Sequence, residues 1–286
     1  MQIGSKLVAA VLIILVVLSS LSIWYYASFS KTKHAGTEDF AVYYGSVVNA
    51  QVVNYLNKFR LVILEPWAFN SSTLSEIKGI KIAYIDLGEY DNASCSCSVN
   101  ISRVAIGYDP LWNQVIVNVS SPLWQKYVMC EVENAMKEGF QGVLFDDLDV
   151  AEQYPNVSQG IITVLKDVRQ MYPNAVIGVN RGFVLLQNIS VYINFLLYED
   201  YGTEVIGPGE VTFVQNVSGI AATTSMVRHY NITILALAYA NYPEDKYFVF
   251  SSNLAYKEGV PLYITNWDVT ALFPQNEINQ NYSLDV

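Results

Sequence analysis

Eight short apolar runs, set apart by longer amphipathic stretches, limit more than any other feature what this chain can fold into. The runs are 40–45 (FAVYYG), 60–65 (RLVILE), 80–88 (IKIAYIDLG), 142–146 (GVLFD), 175–180 (AVIGVN), 192–199 (YINFLLYE), 232–240 (ITILALAYA) and 261–266 (PLYITN). Short, nearly continuous apolar runs read as strands buried on both faces, as in a parallel sheet. Helices are predicted between them at 46–58, 71–78, 121–138, 157–171, 183–188, part of 210–230, and 246–258. Pro122, after Ser120 and Ser121, suits the first turn of a helix. Strand alternating with helix implies a parallel sheet, and eight such units in about 250 residues is the size of a (β/α)₈ TIM barrel. No Gly-rich phosphate loop follows the first strand, which argues against a dinucleotide-binding sheet. One insertion, 89–114, breaks the rhythm after the third strand and carries Cys95, Cys97 and Trp112. A long loop in that position is expected to shape a substrate cleft. Residues 115–119 (VIVNV) read as a short extra strand.

Ahead of the barrel lies an N-terminal hydrophobic helix. Residues 7–23 carry no charge, Lys6 precedes them, and Trp24, Tyr25 and Tyr26 follow. The segment is expected to be a signal anchor or a signal peptide, with 7–26 as the membrane contact. Residues 1–38 are thus leader and tether, and 39–286 the barrel. Both readings place the barrel outside the cytoplasm, anchored to the membrane or secreted. Nine Asn-x-Ser/Thr sequons, at Asn70, Asn92, Asn100, Asn118, Asn156, Asn188, Asn216, Asn231 and Asn281, agree with export and offer N-glycan acceptors. Cys95 and Cys97 each stand as partners for Cys130 in one disulfide, with one thiol left over, and free buried cysteines are the equal alternative.

The formal charge of −10 excludes nucleic acid as a natural partner, because phosphate binding needs clustered Lys and Arg. Two histidines, one of them in the leader-proximal linker, leave too few soft ligands for a zinc site, and neither metal nor cofactor is expected. In a barrel of this kind chemistry gathers at the C-terminal strand ends. Those ends carry Tyr43 and Tyr44, Glu65, Asp86 with Glu89, Asp146 with Asp147 and Asp149, Asn180 with Arg181, Glu199 with Asp200, Tyr239, and Asn266 with Trp267 and Asp268. The densest is GFQGVLFDDLD, 139–149, where a short strand runs straight into three aspartates. Carboxylates repel one another, so such a cluster points to water, a cation or catalysis. Paired carboxylates are the apparatus of glycoside hydrolysis: one protonates the leaving oxygen, the other attacks or activates water.

VYYG (42–45), KIAYIDLGEYD (81–91), Ser121-Pro122-Leu123-Trp124 leading to GFQGVLFDDLD, GVNRG (178–182) and LLYED (196–200) occur in this order. Together they resemble glycoside hydrolase family 114, the endo-α-1,4-polygalactosaminidase family and its uncharacterised archaeal and bacterial relatives. The resemblance runs from about Phe40 to Asp268. It implies a (β/α)₈ barrel with catalytic carboxylates at Asp146 and Glu199, and an exported hydrolase of an amino-sugar-containing polysaccharide. Tyr44, Asp86, Glu89, Asp149, Asn180, Arg181, Tyr239 and Trp267 are the expected substrate-binding residues. The family commonly has Asn where Asp147 stands, and Gly where Arg181 stands. Glu199, beside Asp200, is expected to be the general acid and Asp146 the nucleophile or base, kept ionised by Arg181. The alternative from another class is a barrel without catalysis, serving as a carbohydrate-binding or cell-envelope component.

Overall fold

The computed structural model describes residues 38–90 and 97–275. The apolar segment 7–26, Cys95, and the sequons at Asn92 and Asn281 lie outside the described residues. Among the described residues, no helix is long and apolar enough to cross a membrane.

In chain order the strands are β1 (Glu38–Tyr43), β2 (Phe59–Leu64), β3 (Ile80–Asp86), β4 (Glu89–Tyr90), β5 (Val115–Ile116), β6 (Gly142–Asp146), β7 (Val176–Asn180), β8 (Phe195–Tyr198), β9 (Thr203–Gly207), β10 (Glu210–Phe213), β11 (Thr233–Tyr239) and β12 (Leu262–Thr265). Eight form one parallel sheet in the order β1-β2-β3-β6-β7-β8-β11-β12. Each of the eight apolar runs supplies one strand, and the fold is the expected TIM-barrel-like α/β architecture. The strands are apolar almost throughout because their inner faces fill the barrel and their outer faces meet helices.

The two ends of the sheet, β12 and β1, meet through side chains and loops. Tyr263 lies against Phe40 and Phe59 at ring-centroid distances of 6.1 and 5.8 Å. Tyr44 N–H donates to Val269 O at 2.9 Å, and the Tyr55 hydroxyl donates to Phe273 O. The barrel is therefore nearly closed, with an aromatic seam in place of an eighth ladder.

The helices follow from local chemistry. They are α1 (Ala50–Leu56), α2 (Ser71–Glu76), α3 (Pro122–Glu138), α4 (Val150–Gln153), α5 (Ser158–Met171), α6 (Leu186–Ile189), α7 (Val217–Arg228) and α8 (Lys246–Glu258). Asn49, Asn70, Asn216 and Asp245 cap α1, α2, α7 and α8, each accepting from free N–H groups of the first turn. Helix α3 starts at Pro122 and stops at Gly139, whose φ of 115° is a glycine conformation. It buries Trp124, Val128, Val132 and Ala135, one stripe at helical spacing. The Trp124 indole N–H donates to Leu87 O at 2.8 Å and ties the helix to the end of β3.

Two pieces differ from the sequence reading. Residues 203–213, part of which falls in a stretch expected to be partly helical, form the hairpin β9–β10. The 89–114 insertion has its own ladder: β4 pairs with β5, and Ala105 and Asp109 bridge to Val117 and Gln114. Cys97 is bonded to Cys130 on α3, with Cα atoms 6.0 Å apart. That bond closes a loop of 33 residues, enough for about 3–4 kcal/mol by loop entropy alone. Reducing it, or replacing Cys97 by Ser, should lower the unfolding free energy by about 2–4 kcal/mol. Denaturant titration with and without reductant measures this, and an unmoved midpoint would mean that other contacts hold the insertion.

Candidate active site

Four neighbouring strands build the site. The order β6-β7-β8-β11 sets Asp146, Asn180, Glu199 and Tyr239 side by side at the C-terminal end of the barrel. Side chains alternate along a strand, so Asp146 shares a face with Leu144 and Gly142, Asn180 with Gly178, and Glu199 with Leu197 and Phe195. Leu144, Gly178 and Phe195 are paired one layer below. A Cβ on Gly178 would sit 2.1 Å from the Phe195 ring, so only glycine leaves that ring its place under Asn180.

Asn180 is buried, 3% exposed, and its amide nitrogen joins the two acids. It donates to Asp146 Oδ1 at 2.7 Å and to Glu199 Oε2. The Tyr239 hydroxyl donates to Glu199 Oε1, and Asp147 N–H donates to Asp146 Oδ1 at 2.7 Å. Hydrogen bonds of about 3 Å from one nitrogen keep the two carboxylate oxygens within about 6 Å of each other.

Burial raises the Asp146 pKa to about 7, and the negative charge of Glu199 adds to the rise. Hydrogen bonds from Asp147 N–H, Asn180 and Tyr84 oppose it. Glu89 is also raised to about 7, by burial and then by Asp109, Asp146 and Asp149. It is 7% exposed, and its Oε2 has no hydrogen-bond partner among the described residues. Asp147 and Asp200 are pushed well above the usual carboxylate range, burial first, then their acidic neighbours. Burial and the same negative field hold the hydroxyls of Tyr44, Tyr84 and Tyr239 well above their ordinary pKa, so they remain donors.

Three strand ends turn in the same unusual way. Asp147, Arg181 and Asp200 have φ of 59°, 55° and 58°, the left-handed region that glycine enters freely. Arg181 stands there with ion pairs to Asp200 at 3.0 Å and Asp149 at 3.7 Å. Burial works against its charge, and Asp149, Asp200 and Glu199 outweigh that effect and raise its pKa. The structure corrects one expectation: Arg181 engages the flanking acids Asp149 and Asp200, and the group between Asp146 and Glu199 is Asn180.

A cleft of about 300 Å³ gathers Asp146, Glu199, Glu89, Asp149, Asn180, Arg181 and Tyr239 of the expected residues. Asp86 lies beside it, accepting from the Tyr84 hydroxyl at 2.5 Å and lining an adjoining cavity of about 600 Å³ that shares Glu89. Tyr44 lies on Tyr84, centroids 4.4 Å apart, and Trp267 stands at the rim stacked on Trp112. The cleft also takes Asp109 and Trp112 from the insertion and Val205 from the hairpin. Nothing periodic in the insertion pointed to those residues; its length alone marked it. Tyr84 was hidden inside an apolar run, where only the two-residue alternation with Asp86 signals it. Among the described residues, the one cysteine–carboxylate group close enough to hold a metal is Cys97, Cys130 and Glu131, and its two sulfurs are bonded to each other.

Fold and paired acids together define a barrel glycosidase. The family model for glycoside-hydrolase family GH114 matches residues 37–249, and the chain belongs to that family. Among solved structures, the glycoside hydrolase domain of PelA from Pseudomonas aeruginosa superposes with a TM-score of 0.70 at 18% identity, covering 83% of this chain and 98% of that one. Aspergillus fumigatus Ega3, solved in complex with galactosamine, superposes with a TM-score of 0.64 at 13% identity, covering 84% of this chain and 95% of that one. Curated proteins gave no sequence match.

The raised acids have a consequence for stability. Asp146 and Glu89, at about 7, bind a proton more tightly folded than unfolded. Their contribution is full below about pH 4 and is lost as pH rises through about 7. The thermal midpoint should therefore fall between pH 5 and pH 8. Asp147→Asn keeps a residue suited to the left-handed turn and removes a buried charge. It should raise the midpoint by about 2–4 °C at pH 8 and less at pH 5, measured by calorimetry.

Proposed function

We propose that this chain is an exported hydrolase that cuts within an α-1,4-linked, amino-sugar-containing polysaccharide, and that it retains anomeric configuration. The carrying observation is the single amide nitrogen of Asn180 bonded to both Asp146 and Glu199. Carboxyl groups about 5–5.5 Å apart suit a double displacement, whereas an inverting enzyme needs roughly 6.5–9.5 Å to admit water. The shared amide nitrogen brings one oxygen of each acid within about 6 Å of the other, which supports the first.

In this reading Asp146 attacks the anomeric carbon while Glu199 protonates the departing oxygen. Water then attacks the glycosyl–Asp146 ester, with Glu199 taking its proton. The reactive form has Glu199 protonated and Asp146 ionised. Asn180 and the Asp147 N–H, donating to Asp146, stabilise its ionised state there. Tyr239 and Asn180 hold Glu199 on both oxygens.

The cleft supports a substrate bearing ammonium groups. Glu89, Asp109, Asp149, Glu152 and Asp200 surround the pair, and the one cation among them, Arg181, is offset by two aspartates. Galactosamine in the Ega3 structure fits this substrate class. Export rests on the apolar leader, with tethering if it is retained. The exposed positions of Asn70, Asn100, Asn156, Asn188, Asn216 and Asn231 suit N-glycans.

The test is incubation of the full chain with galactosaminogalactan, chitin-derived and envelope polysaccharides, followed by mass analysis of released oligosaccharides and NMR of the first-formed anomer. Internal cuts yielding α-configured amino-sugar oligomers are expected. Asp146→Asn and Glu199→Gln should each lower kcat by roughly 10²–10⁴-fold. Full activity in either variant would remove that residue from the chemistry.

A further inference from the structure

Trp112 and Trp267 come from loops that follow different strands and meet at the mouth. Trp112 sits at the tip of the insertion that follows β3, and Trp267 in the turn that follows β12. In the sheet, β1 and β2 lie between those two strands. The contact therefore crosses above the ends of β1 and β2. The two indoles are nearly parallel, 7° apart, with centroids at 6.5 Å.

Both supports are built to hold the rings there. At the tip, Asp109 and Gln114 exchange backbone hydrogen bonds of 2.9 and 3.1 Å. The Asp109 carboxylate accepts from Leu111 N–H at 2.6 Å, and Tyr108 OH donates to Asn113 Oδ1 at 2.6 Å. On the other side, Asn266 Oδ1 accepts from Thr270 N–H at 2.9 Å and Ala271 N–H at 2.8 Å, and Val269 O accepts from Tyr44 N–H. Yet Trp112 is 41% exposed, and it lines the same cleft as Asp146 and Glu199. A large indole left half in water at a cleft wall, on a braced loop, is a surface for an apolar face to cover.

We infer that Trp112 and Trp267 form an aromatic strap over the β1–β2 side of the mouth, and that a pyranose ring of the polysaccharide, away from the cleaved bond, stacks on it. The inference rests on the polysaccharide reading above and adds a subsite to it. A galacto-configured ring has C–H bonds gathered on one face and matches an indole. Trp267 does not line the cleft; it acts by fixing the Trp112 plane, and is a positioning residue. The two therefore work as a unit.

The experiment compares Trp112→Ala, Trp267→Ala and the double variant with wild type. Each single variant should raise KM for the polymer roughly tenfold, the size expected for one lost aromatic stack. The double variant should be no worse than Trp112→Ala, because the second change removes a support already without its load. Trp112→Phe should recover part of the loss. The thermal midpoint should stay near wild type and KM for the polymer should change more than kcat, which separates a subsite from a folding defect. An unchanged KM and product-size distribution in an active enzyme would overturn the strap and leave the hydrolase reading standing. Multiplying effects in the double variant would overturn the unit. If the wild type cleaves no polysaccharide, α-1,4-oligogalactosamine is titrated against its tryptophan fluorescence. Quenching that Trp112→Ala abolishes supports the strap without the hydrolase, and absence of such quenching overturns it.

Discussion

Asp146 and Glu199 stand on strands separated by β7, so at the usual spacing of about 4.8 Å between neighbours their backbones lie about 10 Å apart. Left to their charges they would lean away from each other. The Asn180 amide, on the strand between, draws one oxygen from each toward a common nitrogen. The rest of the site depends on that interaction. Asn180 needs its own strand pressed close to its neighbours, which Gly178 permits. Tyr239, one strand further on, then finds Glu199 within reach. An uncharged donor suits this position, because it relieves the repulsion without pairing permanently with either acid.

Around this row the barrel keeps a ring of negative charge that would destabilise an ordinary surface. Burial and mutual repulsion both raise the acids, and the fold resists by holding the loops from outside. Trp124 ties α3 to the end of β3, the Cys97–Cys130 bond fastens the insertion to α3, and Thr203 brackets Tyr239 from the hairpin with bonds of 2.8 and 2.9 Å. At the base of the barrel Arg169 donates to the carbonyls of Pro173, Ala175 and Tyr192 and to Asn194, fixing β7 and β8 from below. Stability and chemistry are thus divided between the two ends of the strands.

The barrel was legible because its strands are bounded by polarity on both sides, so runs such as GVLFD and AVIGVN mark their own ends. The carboxyl row was legible for the same reason: Asp146, Asn180 and Glu199 each close an apolar run. The hairpin at 203–213 was not, since its short antiparallel strands are half exposed and carry Glu204 and Glu210. The partners of Arg181 were also out of reach. A guanidinium at a strand end faces several carboxylates, and which it meets depends on a backbone turn that sequence does not spell out. Asp109 and Trp112 come from an insertion whose course is set by a disulfide and a small ladder of its own.

The left-handed turns at Asp147, Arg181 and Asp200 sort the mouth into two tiers. A strand that simply continued would send the next side chain to the outer wall. Here the chain reverses its twist at once, and the residue after each inward group is kept at the cleft, one level further out. Asp146, Asn180 and Glu199 form the lower tier, and Asp147, Arg181 and Asp200 the upper. Because the sorting is done by backbone handedness, the two tiers can vary in chemistry separately. An arginine can occupy a position suited to glycine and bring a cation to the entrance, while Asn180 beside it keeps its bonds to both acids.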